Sequence, residues 1–133
     1  MLIYCDSMIL IYLLDAVGPL HLRAAARLAT MHRDGDTPAV SDLTRLECRV
    51  RPLRVGAVQT LASMDGFFAR GDVLRIPITS AVFDRATFIR AKYRFRLGDS
   101  LHLAAAVEAG CDRFLTNDSR LAAFADIPVE TLP

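Results

Sequence analysis

Short apolar runs alternate with segments of helical period along the whole chain, and few folds accommodate that alternation. Leu2–Cys5 is an unbroken apolar run, the pattern of a parallel strand covered on both faces. Asp6-Ser7 breaks the run and can cap a helix over Met8–Leu14. Gly18-Pro19 punctuates the chain, and His21–His32 reads as a second helix with Leu22, Ala25, Ala26 and Ala29 on one face. Pro38–Val40 reads as a short strand, and Ser41-Asp42 starts a helix expected to weaken near Pro52. Ala57–Phe68 repeats apolar residues at helical spacing up to a stop at Gly71, placing Met64, Phe67 and Phe68 in a core or a helical interface. Val73–Ile78 alternates as a strand that Pro77 confines to an edge or an end. Ala81–Phe95 is a long amphipathic helix, and Gly98-Asp99 opens an Ala-rich helix that Gly110 closes. Arg113–Leu115, Leu121–Phe124 and Val129–Leu132 follow as strand, short helix and strand. Strands and helices in this order give an α/β domain over residues 1–133, with a parallel sheet flanked by helices.

Composition narrows the function classes. A chain of 133 residues with 53% hydrophobic and 23% charged content can bury a core, which excludes disorder and low-complexity stalks. The net charge of +1 selects no partner by itself. Cys5, Cys48 and Cys111 are too scattered for a disulfide framework or a cysteine zinc site, and they suit a reducing cytoplasm. The apolar run Met8–Leu14 is far short of the roughly twenty residues that span a bilayer, and no basic stretch precedes it as in a signal peptide. The expectation is a soluble cytoplasmic protein with no membrane partner.

The acidic residues fall where chemistry is done in open α/β sheets. Asp6 follows the first strand, Asp118 follows the strand ending at Leu115-Thr116, and Asp99 opens a helix. Ligands bind beyond the carboxyl ends of such strands, where helix N-termini also point. Each Asp alone is explained as a helix cap. Glu47 is not, because it lies within a helix on or beside the stripe Leu43, Leu46, Val50, which should face the core. A half-buried Glu needs a partner, either Arg51 one turn later or a cation. Several carboxylates meeting at one point repel each other, and a divalent cation removes that penalty. Oxygen ligands select Mg²⁺ or Mn²⁺, which activate water for phosphodiester hydrolysis with one or two ions.

Four segments then resemble one family. Tyr4-Cys5-Asp6-Ser7, Ser41 to Glu47, Leu97 to Ala104 with Gly98-Asp99 at its head, and Leu115-Thr116-Asn117-Asp118 occur in the order and spacing of PIN-domain ribonucleases. The chain most resembles the VapC toxins of bacterial toxin–antitoxin pairs, over essentially its whole length. That resemblance implies a three-layer α/β/α sandwich with a central parallel sheet. It also implies a Mg²⁺-dependent endoribonuclease, with Mn²⁺ as a substitute, that cuts structured RNA such as transfer or ribosomal RNA. A VapB-type antitoxin would inhibit it, and a homodimer is the usual assembly. Carried over by position, Asp6, Glu47, Asp99 and Asp118 form the acidic metal site, and Thr116 supplies a hydroxyl near the activated water. Met8 departs from the family, which usually has Asn there to orient a carboxylate or water.

Two basic clusters flank the acids: Arg45, Arg49, Arg51 and Arg54, then Arg85, Arg90, Lys92, Arg94 and Arg96. Arg94 and Arg96 are the first choices for RNA phosphate contact, followed by Arg45 and Arg49. Tyr93 and Phe95 interleave with them, and at helical spacing they belong to the core unless they stack on a base. His102, one turn after Asp99, reads as a packing or hydrogen-bonding residue, and Ser7 as a cap with no histidine near it in sequence. No Gly-rich phosphate loop is present. A phosphoacceptor domain would want a Lys after a late strand, whereas the sole Lys92 falls in a helix. The remaining alternative is an inactive PIN-like module that only binds RNA or protein.

Overall fold

The computed structural model describes residues 1–133. Five strands form one parallel sheet: β1 (Leu2–Cys5), β2 (Thr37–Ser41), β3 (Leu74–Ile76), β4 (Arg113–Thr116) and β5 (Val129–Thr131), in the order β3-β2-β1-β4-β5. Six helices cover it: α1 (Ser7–Asp15), α2 (Pro19–Asp34), α3 (Asp42–Val55), α4 (Val58–Phe68), α5 (Ser80–Tyr93) and α6 (Leu97–Glu108). A short 3₁₀ helix, Ser119–Ala123, follows β4. The expected three-layer sandwich is the one observed, and no single helix is long and apolar enough to cross a membrane.

Strand alternation builds the layers. Tyr4, Ala39 and Phe114 point to one face, where Val82, Ala86 and Ile89 of α5 and Leu103 to Ala106 of α6 complete a core. Ile3, Cys5, Val40 and Leu115 point to the other, against Ile9, Leu10, Ala24, Met31, Cys48 and Met64. The central strand β1 is therefore apolar at every position because both of its faces are covered. All three cysteines are free, and burial pushes the Cys5 and Cys48 thiols up to about 12.

Three expectations about helices need correction. The buried face of α2 runs through Ala24, Leu28 and Met31, whereas Leu22 is 65% exposed. In α3 the buried face is Thr44, Cys48 and Pro52, and Leu46 and Val50 lie toward solvent. The Leu43, Leu46, Val50 stripe therefore does not define the core side. Pro52 does not end α3: the helix continues to Val55 and stops at Gly56, which has φ 69°. A proline removes one backbone donor, and the Pro52 ring is buried within the helix.

Helix α5 ends at Tyr93, two residues earlier than the periodicity suggests, and its cap residue Arg94 is left-handed, with φ 60° and ψ 28°. A side chain there strains the backbone that glycine adopts freely. Arg94→Gly is expected to stabilise the fold by about 0.5–1 kcal/mol, read as a higher midpoint in urea unfolding. A lower midpoint would contradict this account of the turn.

Candidate functional site

The chain leaves β1 toward β2 and β3, then returns to β4 on the other side of β1. This reversal opens a crevice beyond the carboxyl ends of β1 and β4, the place where open α/β sheets take ligands. Asp6 caps α1 at the end of β1, and Asp118 caps the 3₁₀ helix after β4. Asp99 projects from the first turn of α6, and Glu47 from the second turn of α3. All four line one cleft of about 510 Å³, together with Ser7, Met8, Arg96, His102 and Thr116. Four segments spread from residue 6 to residue 118 thus meet at one sheet edge.

Each acid has a distinct environment. Asp6 is 9% exposed and accepts hydrogen bonds from the Ser7 amide at 2.8 Å and from the Thr116 hydroxyl at 2.8 Å. Thr116 Oγ1 in turn accepts from the Asp118 amide at 3.1 Å, so this buried hydroxyl ties two of the acids together. Glu47 accepts from Ser7 Oγ at 2.8 Å and from His102 Nε2 at 2.5 Å. Burial raises its pKa, but the bonds from His102 and Ser7 outweigh that and hold the carboxyl below its usual range. Asp118 also lies below its usual range, chiefly because the Arg120 guanidinium bonds to it.

Asp99 is the exception. Burial first, then the carboxylates of Asp6 and Asp118, raise its pKa, and Arg120 and Arg96 only partly oppose them. Its Oδ2 is buried without a hydrogen-bond partner, and the nearest cation, Arg120 Nη2, is 3.6 Å away. A buried, unpartnered carboxylate oxygen beside two further carboxylates fits an oxygen-ligated cation. No three acidic or histidine side chains converge closely enough to enclose an ion by themselves. Mg²⁺ does not need such a cage, because it characteristically uses one or two carboxylates and keeps several waters. The donor set therefore fits a divalent cation.

The other sequence candidates divide. Arg96 lines the cleft, and Arg94 stands at the exposed end of α5 two residues before it. Arg45 and Arg49 instead face Asp65 of α4, at 3.8 and 2.9 Å, and Arg51 pairs with Asp15 rather than with Glu47. Tyr93 and Phe95 stack on each other at 5.1 Å, and Tyr93 packs edge-on to Phe124, so both serve the core face. Met8 is 41% exposed on the cleft wall.

Ser7 caps nothing with its side chain, and Asp6 is the cap of α1. Instead its hydroxyl lies 3.2 Å from His102 Nε2, a neighbour 95 residues away that sequence distance concealed. The three groups do not form a nucleophilic triad. A triad places the acid on Nδ1 and the serine on Nε2, whereas here Nε2 faces both Glu47 and Ser7 while Nδ1 faces Tyr4. Arg120 is the residue that sequence reasoning missed, although its position two residues after Asp118 at a helix start was a usable signal.

Known proteins share this architecture. The VapBC2 structure from Rickettsia felis, solved with a promoter DNA fragment, matches with a TM-score of 0.80 and 14% identity over 100% of both chains. VapC20 of Mycobacterium tuberculosis, described as a sarcin–ricin-loop-cleaving toxin, gives a TM-score of 0.77 at 14% identity, covering 95% of this chain and 98% of that one. A toxin–antitoxin complex from Klebsiella pneumoniae gives 0.72 at 22% identity, covering 98% and 97%. No curated protein sequence matches. At these identities the likeness establishes the fold, whereas the family is fixed by sequence: the PIN domain model matches residues 3–127, which carry all four acids and every strand but the last. The chain belongs to the PIN domain family.

Proposed function

We propose that the protein is a divalent-cation-dependent endoribonuclease toxin of the VapC type, acting in the cytoplasm on structured RNA, with transfer and ribosomal RNA as the substrate class. The observation that carries this reading is the buried, unpartnered Asp99 Oδ2 facing the same cleft as Asp6, Glu47 and Asp118. Asp6 and Asp99 are the residues that would hold Mg²⁺ or Mn²⁺, with Glu47 and Asp118 completing the acidic set. When bound, the cation supplies Lewis-acid activation of water and offsets charge on the phosphate.

The chain's own groups do the rest. Thr116 holds Asp6 through its hydroxyl and fixes the Asp118 backbone, which keeps the two strand-end acids in register. Ser7 and His102 both bond Glu47 Oε1 and keep that carboxylate ionised. Arg96, on the cleft wall, and Arg94 contact the RNA backbone, where each neutralised phosphate releases counterions. Arg45 and Arg49 extend that surface only where a phosphate displaces Asp65. The toxin–antitoxin complexes among the similar structures support a VapB-type antitoxin as partner. In this reading residues 1–133 act as one domain and the working assembly is a homodimer.

Met8, exposed where an amide would help orient water, favours a second reading as a weak or inactive RNA- or protein-binding module. One assay separates the two. Purified protein, free of antitoxin, is incubated with total bacterial RNA in Mg²⁺, in Mn²⁺ and in EDTA. The ribonuclease gives discrete fragments with either cation and none with EDTA. Intact RNA in all three conditions favours the binding module.

A further inference from the structure

An unbroken run of hydrogen bonds connects the middle of the sheet to the acidic cleft. Tyr4 lies in the central strand, and its hydroxyl is 2.8 Å from Ser41 Oγ, 3.3 Å from Thr44 Oγ1 and 2.7 Å from His102 Nδ1. The other ring nitrogen, Nε2, meets Glu47 Oε1 at 2.5 Å. Tyr4, Ser41 and Thr44 have no exposure, and His102 is 2% exposed. Four polar side chains sunk this deeply are costly to bury unless every group is bonded, and apolar residues would fill the same volume without that demand. The run ends on one carboxylate oxygen at the cleft.

Hydrogen-bond chemistry fixes the direction. An ionised carboxylate only accepts, so the proton between His102 and Glu47 belongs to Nε2. The other ring nitrogen, Nδ1, lies 2.7 Å from the Tyr4 hydroxyl, and this second contact keeps the imidazole from rotating. Ser7 Oγ donates to the same Glu47 oxygen. Both side-chain donors are thus spent on Oε1, while Oε2 lies beside Gly98, where a Cβ would stand 3.7 Å away. Neither donor reaches Oε2.

We propose that His102, itself oriented by Tyr4, is a positioning residue that fixes the Glu47 carboxylate with Oε1 held by the protein and Oε2 left for the cation site. This rests on the reading of the acidic cleft as a divalent-cation site. His102 is then neither a general base nor a metal ligand, and its effect is exerted entirely through Glu47. Outer partners of this kind typically change metal affinity or activity 10–100-fold.

The test uses the full chain, with Mn²⁺ as the probe, measured by calorimetry. His102→Leu should weaken Mn²⁺ binding about 10–100-fold. His102→Gln, whose amide N–H can reach Glu47, should recover most of that loss. In a Glu47→Gln background, His102→Leu should cost nothing further, because the interaction it removes is already gone. Metal-free ¹⁵N spectra supply an independent reading: the His102 Nε2–H resonance should be present and should shift in Glu47→Gln and in Tyr4→Phe. An equal loss in both backgrounds, or wild-type affinity in a folded His102→Leu protein, overturns the proposal. If His102→Leu fails to fold, His102→Gln and Tyr4→Phe carry the same comparison. If the wild type binds no Mn²⁺, the cation reading fails, and an Nε2 resonance unmoved by Glu47→Gln overturns the positioning role separately.

Discussion

Asp99→Asn is expected to lower RNA cleavage by about 10³-fold or more while making the protein more stable. The loss of rate follows from removing the one carboxylate whose buried oxygen is unpartnered, since a bound cation contributes several kcal/mol to the transition state. The gain in stability follows from its charge. Burial and the neighbouring Asp6 and Asp118 raise the Asp99 pKa, so its ionised form is disfavoured in the folded protein. A carboxyl group whose folded pKa is raised costs stability as pH rises from its unfolded pKa to its folded one, and the full penalty applies above both. Asp99→Asn should therefore be about 0.5–2 kcal/mol more stable at pH 7, a usual gain when a destabilising functional group is removed. That advantage should shrink in acid, where wild-type Asp99 is protonated. Thermal melts at pH 4 and pH 7 beside a cleavage assay check both halves. Full activity in the variant, or an advantage that grows in acid, would falsify this description of the site. Asp6→Asn should also abolish cleavage, while keeping an oxygen to accept the Thr116 bond.

Phe114→Ala should give the largest loss of stability of any change considered, about 3–5 kcal/mol. Phe114 has no exposure, stands in β4 next to the central strand, and stacks on Tyr4 with centroids 5.2 Å apart and planes 6° from parallel. Truncation leaves a void between β1, β4 and α6 that surrounding side chains fill only partly. The melting temperature should fall by about 10 °C or more. The site should suffer as well, because β4 delivers Thr116 and Asp118 and Tyr4 orients His102. Denaturant unfolding measures the cost, and a loss below about 1 kcal/mol would mean that this face of the sheet is not closely packed.

The strands were legible because burial on both faces leaves little room for polar residues. Leu2–Cys5 and Phe114-Leu115 appear as apolar segments ended by Asp6 and, after Thr116-Asn117, by Asp118. The placement of those acids at strand ends, with Asp99 at a helix start, sufficed to put three of the four in one cleft. Glu47 was singled out for the right reason, half-burial without a cap role, although the stripe used to place it was wrong. Leu46 and Val50 are apolar yet exposed, and a helix with apolar residues on two sides does not reveal by period which side packs. Leu22 misled in the same way on α2.

The partners of the acids were not legible, because they are set by long-range packing. His102 meets Ser7 across 95 residues and Glu47 across 55, so neither contact leaves a local trace. Tyr4 was readable as a strand residue, but its hydroxyl's role as the inner end of a polar run depends on where α3 and α6 cross the sheet. The pairing of Arg45 and Arg49 with Asp65 depends likewise on the angle between α3 and α4. Periodicity identifies which residues belong to an element, and tertiary packing decides which of them meet.

Diffraction from crystals soaked in Mn²⁺ tests most directly whether the acidic cleft holds a divalent cation. Anomalous scattering locates the ion without reference to activity, substrate or antitoxin. The expected result is a peak in the cleft within coordination distance, about 2 Å, of carboxylate oxygens of Asp6 and Asp99, absent from crystals of Asp99→Asn. Mn²⁺ bound only elsewhere, or a peak in the cleft unchanged by Asp99→Asn, would contradict it.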